Sequence, residues 1–298
     1  MEFQKLDDLK SWKAAGDYFT YCGEKIFYIE SGQTDAPVLV LIHGFPTASW
    51  DWHKVWKPLC QHFRVLAIDM IGFGLSAKPA NYDYSINDQA DLLEIFLNFK
   101  GVVRYHILAH NYGVTVAQEL LARDEINNSA STAKSIDSII LLNGGLFPET
   151  HKPVLIQKLL ISPLGGLVAR FVSYASFKQN FDKICANPLP ENELQTFWEL
   201  LIRENGKAIM PKLIRYMIER KTHRERWVGV LQTTKIPIRL INGLEDPISG
   251  AHMLVRYREL INNPIIFELP GVGHYPQVEA PDAVYKAAFK FWQSLEIF

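Results

Sequence analysis

Apolar residues along this chain form short continuous runs, and the segments between most of these runs have apolar residues at helical spacing. Such runs, rich in β-branched residues, are typical of strands covered on both faces. They occupy residues 38–42, 65–68, 105–108, 139–142, 238–241 and 265–269. Helical patterns cover residues 86–99, 114–122 and 283–295. The alternation predicts an α/β fold with a mostly parallel central sheet, helices on both faces, and an N-terminal hairpin over residues 18–30.

The pattern changes between residues 142 and 238, where no strand pattern is found. Helical spacing continues there at residues 154–160, 191–203 and 208–221, with prolines and a Gly-Gly pair between the helical stretches. Prolines and glycines of this kind separate helices rather than extend them. We therefore expect a helical cap at residues 148–228, inserted into a core that is formed by residues 1–147 and 229–298.

Composition and charge exclude several classes of protein. The chain has 298 residues, of which 48% are hydrophobic, so a full hydrophobic core can form. With 31 Lys and Arg against 32 Asp and Glu, the formal net charge is −1. This balance argues against a nucleic-acid partner and against a polybasic membrane-binding protein, since both need clustered positive charge.

Cysteines and apolar segments give further limits. Cys22, Cys60 and Cys185 have no CxxC spacing, and they indicate neither a disulfide framework nor a metal site. No apolar leader is found near the N-terminus, and no run approaches the ~18 apolar residues of a membrane span. An Asn-x-Ser match at residues 127–129 is attributed to chance. We expect a cytoplasmic protein that needs neither a metal nor a cofactor and is a monomer or a homodimer.

Basic residues cluster within the expected cap. The cluster comprises Arg215, Arg220, Lys221, Arg224 and Arg226, and it is interrupted by Glu219 and Glu225. Side-chain charges of alternating sign along a helix favour a solvated helix face. The second interpretation is a binding site for an anionic partner.

Four motifs place chemistry-bearing residues directly after predicted strands, where ligands bind in open α/β sheets. The motifs are His43-Gly44-Phe45-Pro46, His110-Asn111-Tyr112-Gly113, Gly243-Leu244-Glu245-Asp246-Pro247 and Gly271-Val272-Gly273-His274-Tyr275. Small residues at Ala109 and Gly113 allow the second motif to form the strand–turn–helix of a nucleophile elbow. An acid and then a histidine follow it, which is the order nucleophile, acid, base of the α/β-hydrolase fold.

The first motif is expected to contact the ligand. Gly44 lets the backbone turn sharply and come close to a bound molecule. We therefore assign His43, Gly44 and Pro46 to substrate binding. Backbone N–H groups that are freed at this strand end can also stabilise an oxyanion.

With these motifs the sequence resembles a known family, the α/β-hydrolases of the epoxide hydrolase and haloalkane dehalogenase branch, and within it the mesoderm-specific transcript-like hydrolases. The resemblance extends from residue 12 to residue 277. It is carried by Trp12-Lys13-Ala14-Ala15-Gly16, His43-Gly44-Phe45-Pro46-Thr47, Asp51-Trp52, Tyr112-Gly113, residues 116–121, residues 143–151, Arg226-Trp227-Val228-Gly229 and His274-Tyr275-Pro276-Gln277. The stretch at residues 143–151 is the most specific, because the general fold does not require it.

The resemblance implies a mechanism in which a carboxylate at the elbow forms an alkyl ester with its substrate. His274 then activates water to hydrolyse the ester, and Asp246 orients His274. The backbone N–H groups of Phe45 and Tyr112 would form the oxyanion hole. The implied substrate is a small, neutral, apolar epoxide or haloalkane.

Asn111 departs from the family pattern, which has aspartate at this position. An amide carries no negative charge and is a poor nucleophile, whereas aspartate is ionised at neutral pH. We expect this chain to be an inactive Asp-to-Asn nucleophile variant. Two alternatives stay open: a natural ligand-binding protein without turnover, and slow deamidation of Asn111 by water that His274 activates.

The substrate class rests on neighbouring residues. Dehalogenases of this branch carry Asn after His-Gly and Trp after the nucleophile as halide donors, whereas this chain has Phe45 and Tyr112. Epoxide hydrolases carry an aromatic residue in the first motif and use two cap tyrosines as donors to the epoxide oxygen. Tyr174 and Tyr216 are the candidates here. We therefore expect an epoxide hydrolase, with a dehalogenase-like hydrolase as the alternative; a serine esterase is disfavoured because position 111 is not serine.

Overall fold

The computed structural model describes residues 6–127 and 135–298. Within them an eight-stranded sheet has the order β1-β2-β4-β3-β5-β6-β7-β8. The strands are β1 (Gly16–Tyr21), β2 (Glu24–Ser31), β3 (Val38–Ile42), β4 (Arg64–Ile68), β5 (Arg104–His110), β6 (Ser135–Leu142), β7 (Ile238–Gly243) and β8 (Ile265–Leu269). Every apolar run that predicted a strand forms one, and the N-terminal hairpin is also confirmed. Residues 128 and 129 of the Asn-x-Ser match lie outside the described residues.

The sheet is mostly parallel. β1 pairs with β2, and β2 with β4, in antiparallel register. All other neighbouring strands pair in parallel, from β4 through to β8. The carboxyl ends of β3, β5, β6, β7 and β8 therefore meet at one edge of the sheet, which is where an α/β sheet binds its ligand.

Helices connect the strands and cover both faces of the sheet. They are α1 (Leu9–Ala15), α2 (His53–Cys60), α3 (Ile86–Phe99), α4 (Tyr112–Asn127), α5 (Leu155–Leu160), α6 (Gly165–Phe171), α7 (Tyr174–Ile184), α8 (Glu191–Ile202), α9 (Gly206–Leu213), α10 (Tyr216–Thr222), α11 (Arg224–Thr233), α12 (Ala251–Leu260), α13 (Pro276–Glu279) and α14 (Pro281–Ser294). Short 3-10 turns occupy Ser49–Trp52 and Arg203–Asn205. Helix α3 begins after Ser85, whose hydroxyl accepts from the Asp88 N–H at 3.1 Å, as the sequence predicts.

The described residues between β6 and β7 contain helices and no strand. The expected boundary of the cap at residue 228 falls inside α11, which packs on α4. Gln118 of α4 donates to the Trp227 carbonyl at 3.1 Å, and the Trp227 indole donates to Glu119 at 2.7 Å. Because α11 passes through residue 228 without a break, the division into core and cap at that residue stays a prediction.

Candidate active site

The elbow residue Asn111 lies between β5 and α4 with a left-handed backbone, φ +50°. Glycines make room for this turn. A Cβ added at Gly113 would lie 2.4 Å from the Ile42 carbonyl oxygen, and one at Gly44 would lie 2.9 Å from the Asn111 Cβ. Side chains larger than hydrogen are therefore excluded at both positions, which explains the Gly44 and Gly113 of the sequence motifs.

The Asn111 side chain contacts two sets of candidate catalytic groups. Its Oδ1 accepts from the backbone N–H of Phe45 at 3.0 Å and of Tyr112 at 2.7 Å. Its Nδ2 lies 2.8 Å from Nε2 of His274. The structure thus places both N–H groups assigned to the oxyanion hole on a single oxygen. Since an amide nitrogen only donates, Nε2 of His274 must present its lone pair to Asn111.

His274 is held by Asp246. Nδ1 of His274 donates to Oδ2 of Asp246 at 2.7 Å, and both residues are buried. Asp246 also accepts from the Ile248 N–H, from Ser249 and from Asn143, at 2.7 to 2.9 Å. Burial alone would raise the pKa of Asp246, but the attraction to His274 when its ring is protonated, together with the hydrogen bonds from His274, Ser249 and Asn143, holds this pKa far below its usual range. The ionised Asp246 fixes the tautomer that leaves Nε2 free to act as a base.

Sequence reasoning assigned no role in the site to Asn143, although this residue connects three strand ends. At the end of β6, its backbone carbonyl accepts from the Asn111 N–H at 3.0 Å. Its side chain donates to Asp246 at 2.9 Å and accepts from the Gly243 N–H at 2.7 Å. The only signal in the sequence was a polar residue directly after a buried strand. It could not predict the side-chain contacts of Asn143, because their partners Gly243 and Asp246 lie about a hundred positions further along the chain.

His43, which the sequence assigned to substrate binding, is not among the described residues that line the apolar cavity described below. His43 is fully buried, its Nδ1 lies 2.9 Å from the Gly44 carbonyl, and its Nε2 accepts from the Met70 N–H at 3.1 Å. Burial lowers the pKa of His43, in keeping with a neutral ring that has both nitrogens occupied. Gly44 packs against the elbow, whereas Phe45 and Pro46 line the cavity described below.

The two candidate tyrosines lie in different places. Tyr174 begins α7 and is half-buried, its hydroxyl donates to Glu191 at 2.5 Å, and it does not line the apolar cavity described below. Tyr216 begins α10 and is fully buried against the ring of Tyr112, with centroids 4.9 Å apart. Its hydroxyl has no hydrogen-bond partner among the described residues. Burial raises the pKa of Tyr216, although Arg220 and Asn111 act in the opposite direction.

A small apolar cavity of about 70 Å³ lies beside His274, between the sheet edge and the helices that follow β6. Phe45 and Pro46 form one side of it. The other lining residues are mostly aliphatic or aromatic: Val154, Ile156, Gln157, Leu160, Val172, Phe177, Asn180, Phe181, Ile184, Met210 and Ile248. The described lining includes no Asp, Glu, Lys or Arg side chain, so the cavity suits a neutral apolar molecule.

The described residues contain no group of three His, Cys, Asp or Glu side chains that could hold a metal ion. Helices long and apolar enough to cross a membrane are likewise not found among them.

Comparisons with known proteins identify the family of this chain. The sequence profile of the family described as alpha/beta hydrolase fold matches residues 37–281. The chain is 39% identical to the mesoderm-specific transcript protein of Mus musculus, with 96% of this chain and 88% of that protein covered. It is 38% identical to the putative hydrolase LipZ of Mycobacterium tuberculosis, covering 94% and 96%. Haloalkane dehalogenase 2 of the same species is 25% identical, covering 88% and 90%.

Solved structures show the same fold at low sequence identity. The epoxide hydrolase CorEH superimposes with a TM-score of 0.76 at 17% identity, covering 94% of this chain and 99% of that one. The haloalkane dehalogenase DbeA of Bradyrhizobium elkani gives 0.77 at 19%, covering 94% and 98%. Taken with the elbow, the acid and the histidine at three strand ends, the matched length of the profile establishes that this chain belongs to the α/β-hydrolase family.

Proposed function

We propose that this protein has the machinery of an epoxide hydrolase that works through an ester at position 111 and opens a small apolar epoxide to a diol. The observation that carries the proposal is the Tyr216 hydroxyl. It is buried beside the elbow without a hydrogen-bond partner among the described residues, and its raised pKa keeps it protonated. Such a group can donate to an epoxide oxygen.

In the proposed reaction a carboxylate at position 111 attacks an epoxide carbon and the C–O bond of the ring breaks. The oxygen that is freed takes the proton of Tyr216. His274 then removes a proton from water, which attacks the ester carbonyl, and the Phe45 and Tyr112 N–H groups stabilise the oxyanion. The diol leaves with the proton from His274, and the proton of the new carboxylic acid restores Tyr216.

With Asn111 in place, the first step lacks its nucleophile. The amide oxygen of Asn111 carries no negative charge, and it already accepts hydrogen bonds from two backbone N–H groups. It is therefore too weak a nucleophile to attack an epoxide carbon. We therefore propose that the chain as it stands binds its substrate in the apolar cavity but forms no alkyl ester. The alternative is that the protein is not an enzyme and only binds a ligand.

A haloalkane dehalogenase is the second candidate enzyme, because a relative and a structural neighbour carry that name. Halide departure needs side-chain donors that stabilise a chloride or bromide ion. The described lining of the cavity has no indole or guanidinium. Its two side-chain amides are Gln157 and Asn180, and Nδ2 of Asn180 already donates to the Ser176 carbonyl at 2.7 Å. The site therefore supports epoxide opening better than halide release.

The deciding experiment is Asn111→Asp with a panel of small apolar epoxides and haloalkanes. We expect diol formation that disappears in the double variant Asn111→Asp with His274→Ala, because the ester is then not hydrolysed. Halide release without diol would favour the dehalogenase. If Asn111→Asp binds these compounds but forms no product, the result would support the alternative that the protein binds a ligand without converting it.

A further inference from the structure

A second cavity, of about 280 Å³, lies on the other side of α5 from the apolar one. Ile156 and Leu160 of α5 line the apolar cavity, whereas Lys158 and the following Ile161 line the second. The remaining lining residues are Pro148, His151, Pro153, Met217, Ile218, Arg220 and Lys221. Three side chains of this lining are cations and none is a carboxylate.

Arg220 supplies a buried charge to this cavity. It is 3% exposed, its Nε donates to Thr115 at 2.7 Å, and its Nη2 donates to the Asn111 carbonyl at 3.0 Å. Its guanidinium lies over the ring of Tyr216, 4.5 Å from the ring centroid, but its Nη1 has no hydrogen-bond partner among the described residues. A guanidinium stays protonated in proteins, and a buried charge without an anion is costly. This one member of the basic cluster therefore does not lie on a solvated face.

The loop at residues 143–151 brings a second polar group to Arg220. A Cβ added at Gly145 would lie 2.4 Å from Nη1 of Arg220 and 2.9 Å from Nδ1 of His151. Both ring nitrogens of His151 also lack partners among the described residues. Burial lowers the pKa of His151 to about 3, so its ring is neutral and offers one N–H donor. The loop that general hydrolases do not require thus forms a wall of this cavity.

We propose that the second cavity binds a short-chain aliphatic carboxylate. Its headgroup would accept from Nη1 of Arg220, with Lys158 and Lys221 at the rim adding positive charge. Neither lysine forms an ion pair with a described residue, and both are exposed. The apolar tail would lie against Ile161 and Met217, which favours a carboxylate with several methylene groups over inorganic phosphate. This site does not depend on which reaction the elbow performs.

The test is calorimetric titration of the intact protein with hexanoate, hexanamide and inorganic phosphate at low salt. We expect hexanoate to bind with one molecule per chain, and hexanamide, which has the same shape without the charge, to bind at least tenfold more weakly. Equal binding of hexanoate and hexanamide, or no binding of hexanoate, would overturn the proposal. Phosphate that binds as tightly as hexanoate would overturn the assignment to a carboxylate with an aliphatic tail.

Variants at the rim locate the site. The double variant Lys158→Glu with Lys221→Glu should weaken hexanoate binding about tenfold, because two attractive charges become repulsive. Both side chains are exposed, so folding should be retained, as circular dichroism will check. Lys235→Glu is the matched control, since Lys235 is exposed and does not belong to the cavity lining. Unchanged affinity in the double variant would place hexanoate elsewhere and refute the site.

Discussion

The amide nitrogen of Asn111 lies 2.8 Å from Nε2 of His274, the atom that a hydrolase of this family uses to activate water. The amide oxygen of the same side chain already occupies the position of an oxyanion between two backbone N–H groups. The carbonyl carbon of Asn111 is therefore presented to the catalytic groups in the way that an ester carbonyl would be. This arrangement favours hydrolysis of the Asn111 amide itself.

We predict that Asn111 deamidates to Asp during incubation at neutral pH. Water that His274 deprotonates adds to Cγ, the oxyanion is stabilised by the Phe45 and Tyr112 N–H groups, and ammonia leaves with the proton from His274. In water enriched in ¹⁸O, peptide mapping should find one labelled oxygen at position 111 and no isoaspartate. His274→Ala is the control and should stop the change. An unaltered mass after several days would contradict this prediction.

The sequence predicted the strands, and the elbow, acid and histidine that follow them, because both depend on local patterns. Each predicted strand is a short apolar run, and each candidate catalytic residue comes after one. Contacts between distant residues could not be predicted in this way. Tyr216 lies in a predicted helical stretch and Tyr174 lies in none, but only the packing of α10 shows that Tyr216 is the fully buried one. His43 looks free in the sequence, but the Met70 N–H occupies its Nε2.

Asn143 should matter for the stability of the protein. Replacement by Leu removes the donor to Asp246 and leaves the Gly243 N–H without its side-chain acceptor, both in a buried site. We expect a loss of about 1–3 kcal/mol in the free energy of unfolding, measured by urea denaturation. Ser249→Ala, which also removes one donor to Asp246, is the matched control and should cost less because no buried backbone group loses its partner. Equal losses would argue against the role of Asn143 in joining the strands.

His106 should make the protein sensitive to mild acid. Burial lowers the pKa of His106 to about 4, below the value of about 6.5 for an unfolded histidine. Between these values the unfolded chain binds more protons, so stability falls as the pH decreases from about 7 towards 4. His106 alone should account for about 2 kcal/mol at pH 5.

His106→Asn tests this contribution. The variant will be less stable at pH 7.5, because it alters a buried contact with Ser138. The measured quantity is therefore the change in the free energy of unfolding between pH 7.5 and pH 5, which should be smaller in the variant. The same pH dependence in both proteins would show that His106 is not the group responsible.

Tyr216→Phe is predicted to separate binding from catalysis in the Asn111→Asp background. The ring contacts with Tyr112 and Phe45 are kept, so the fold and the substrate KM should change little. The hydroxyl has no described partner to lose, and its removal leaves the epoxide oxygen without a proton donor. We expect kcat for diol formation to fall about 10²–10³-fold.

Tyr174→Phe is the matched control and should retain full activity, because the Tyr174 hydroxyl is bonded to Glu191 away from the cavity. If Tyr216→Phe retained full kcat as well, the proton donor would have to be another group, and the proposed assignment of the epoxide oxygen would be wrong.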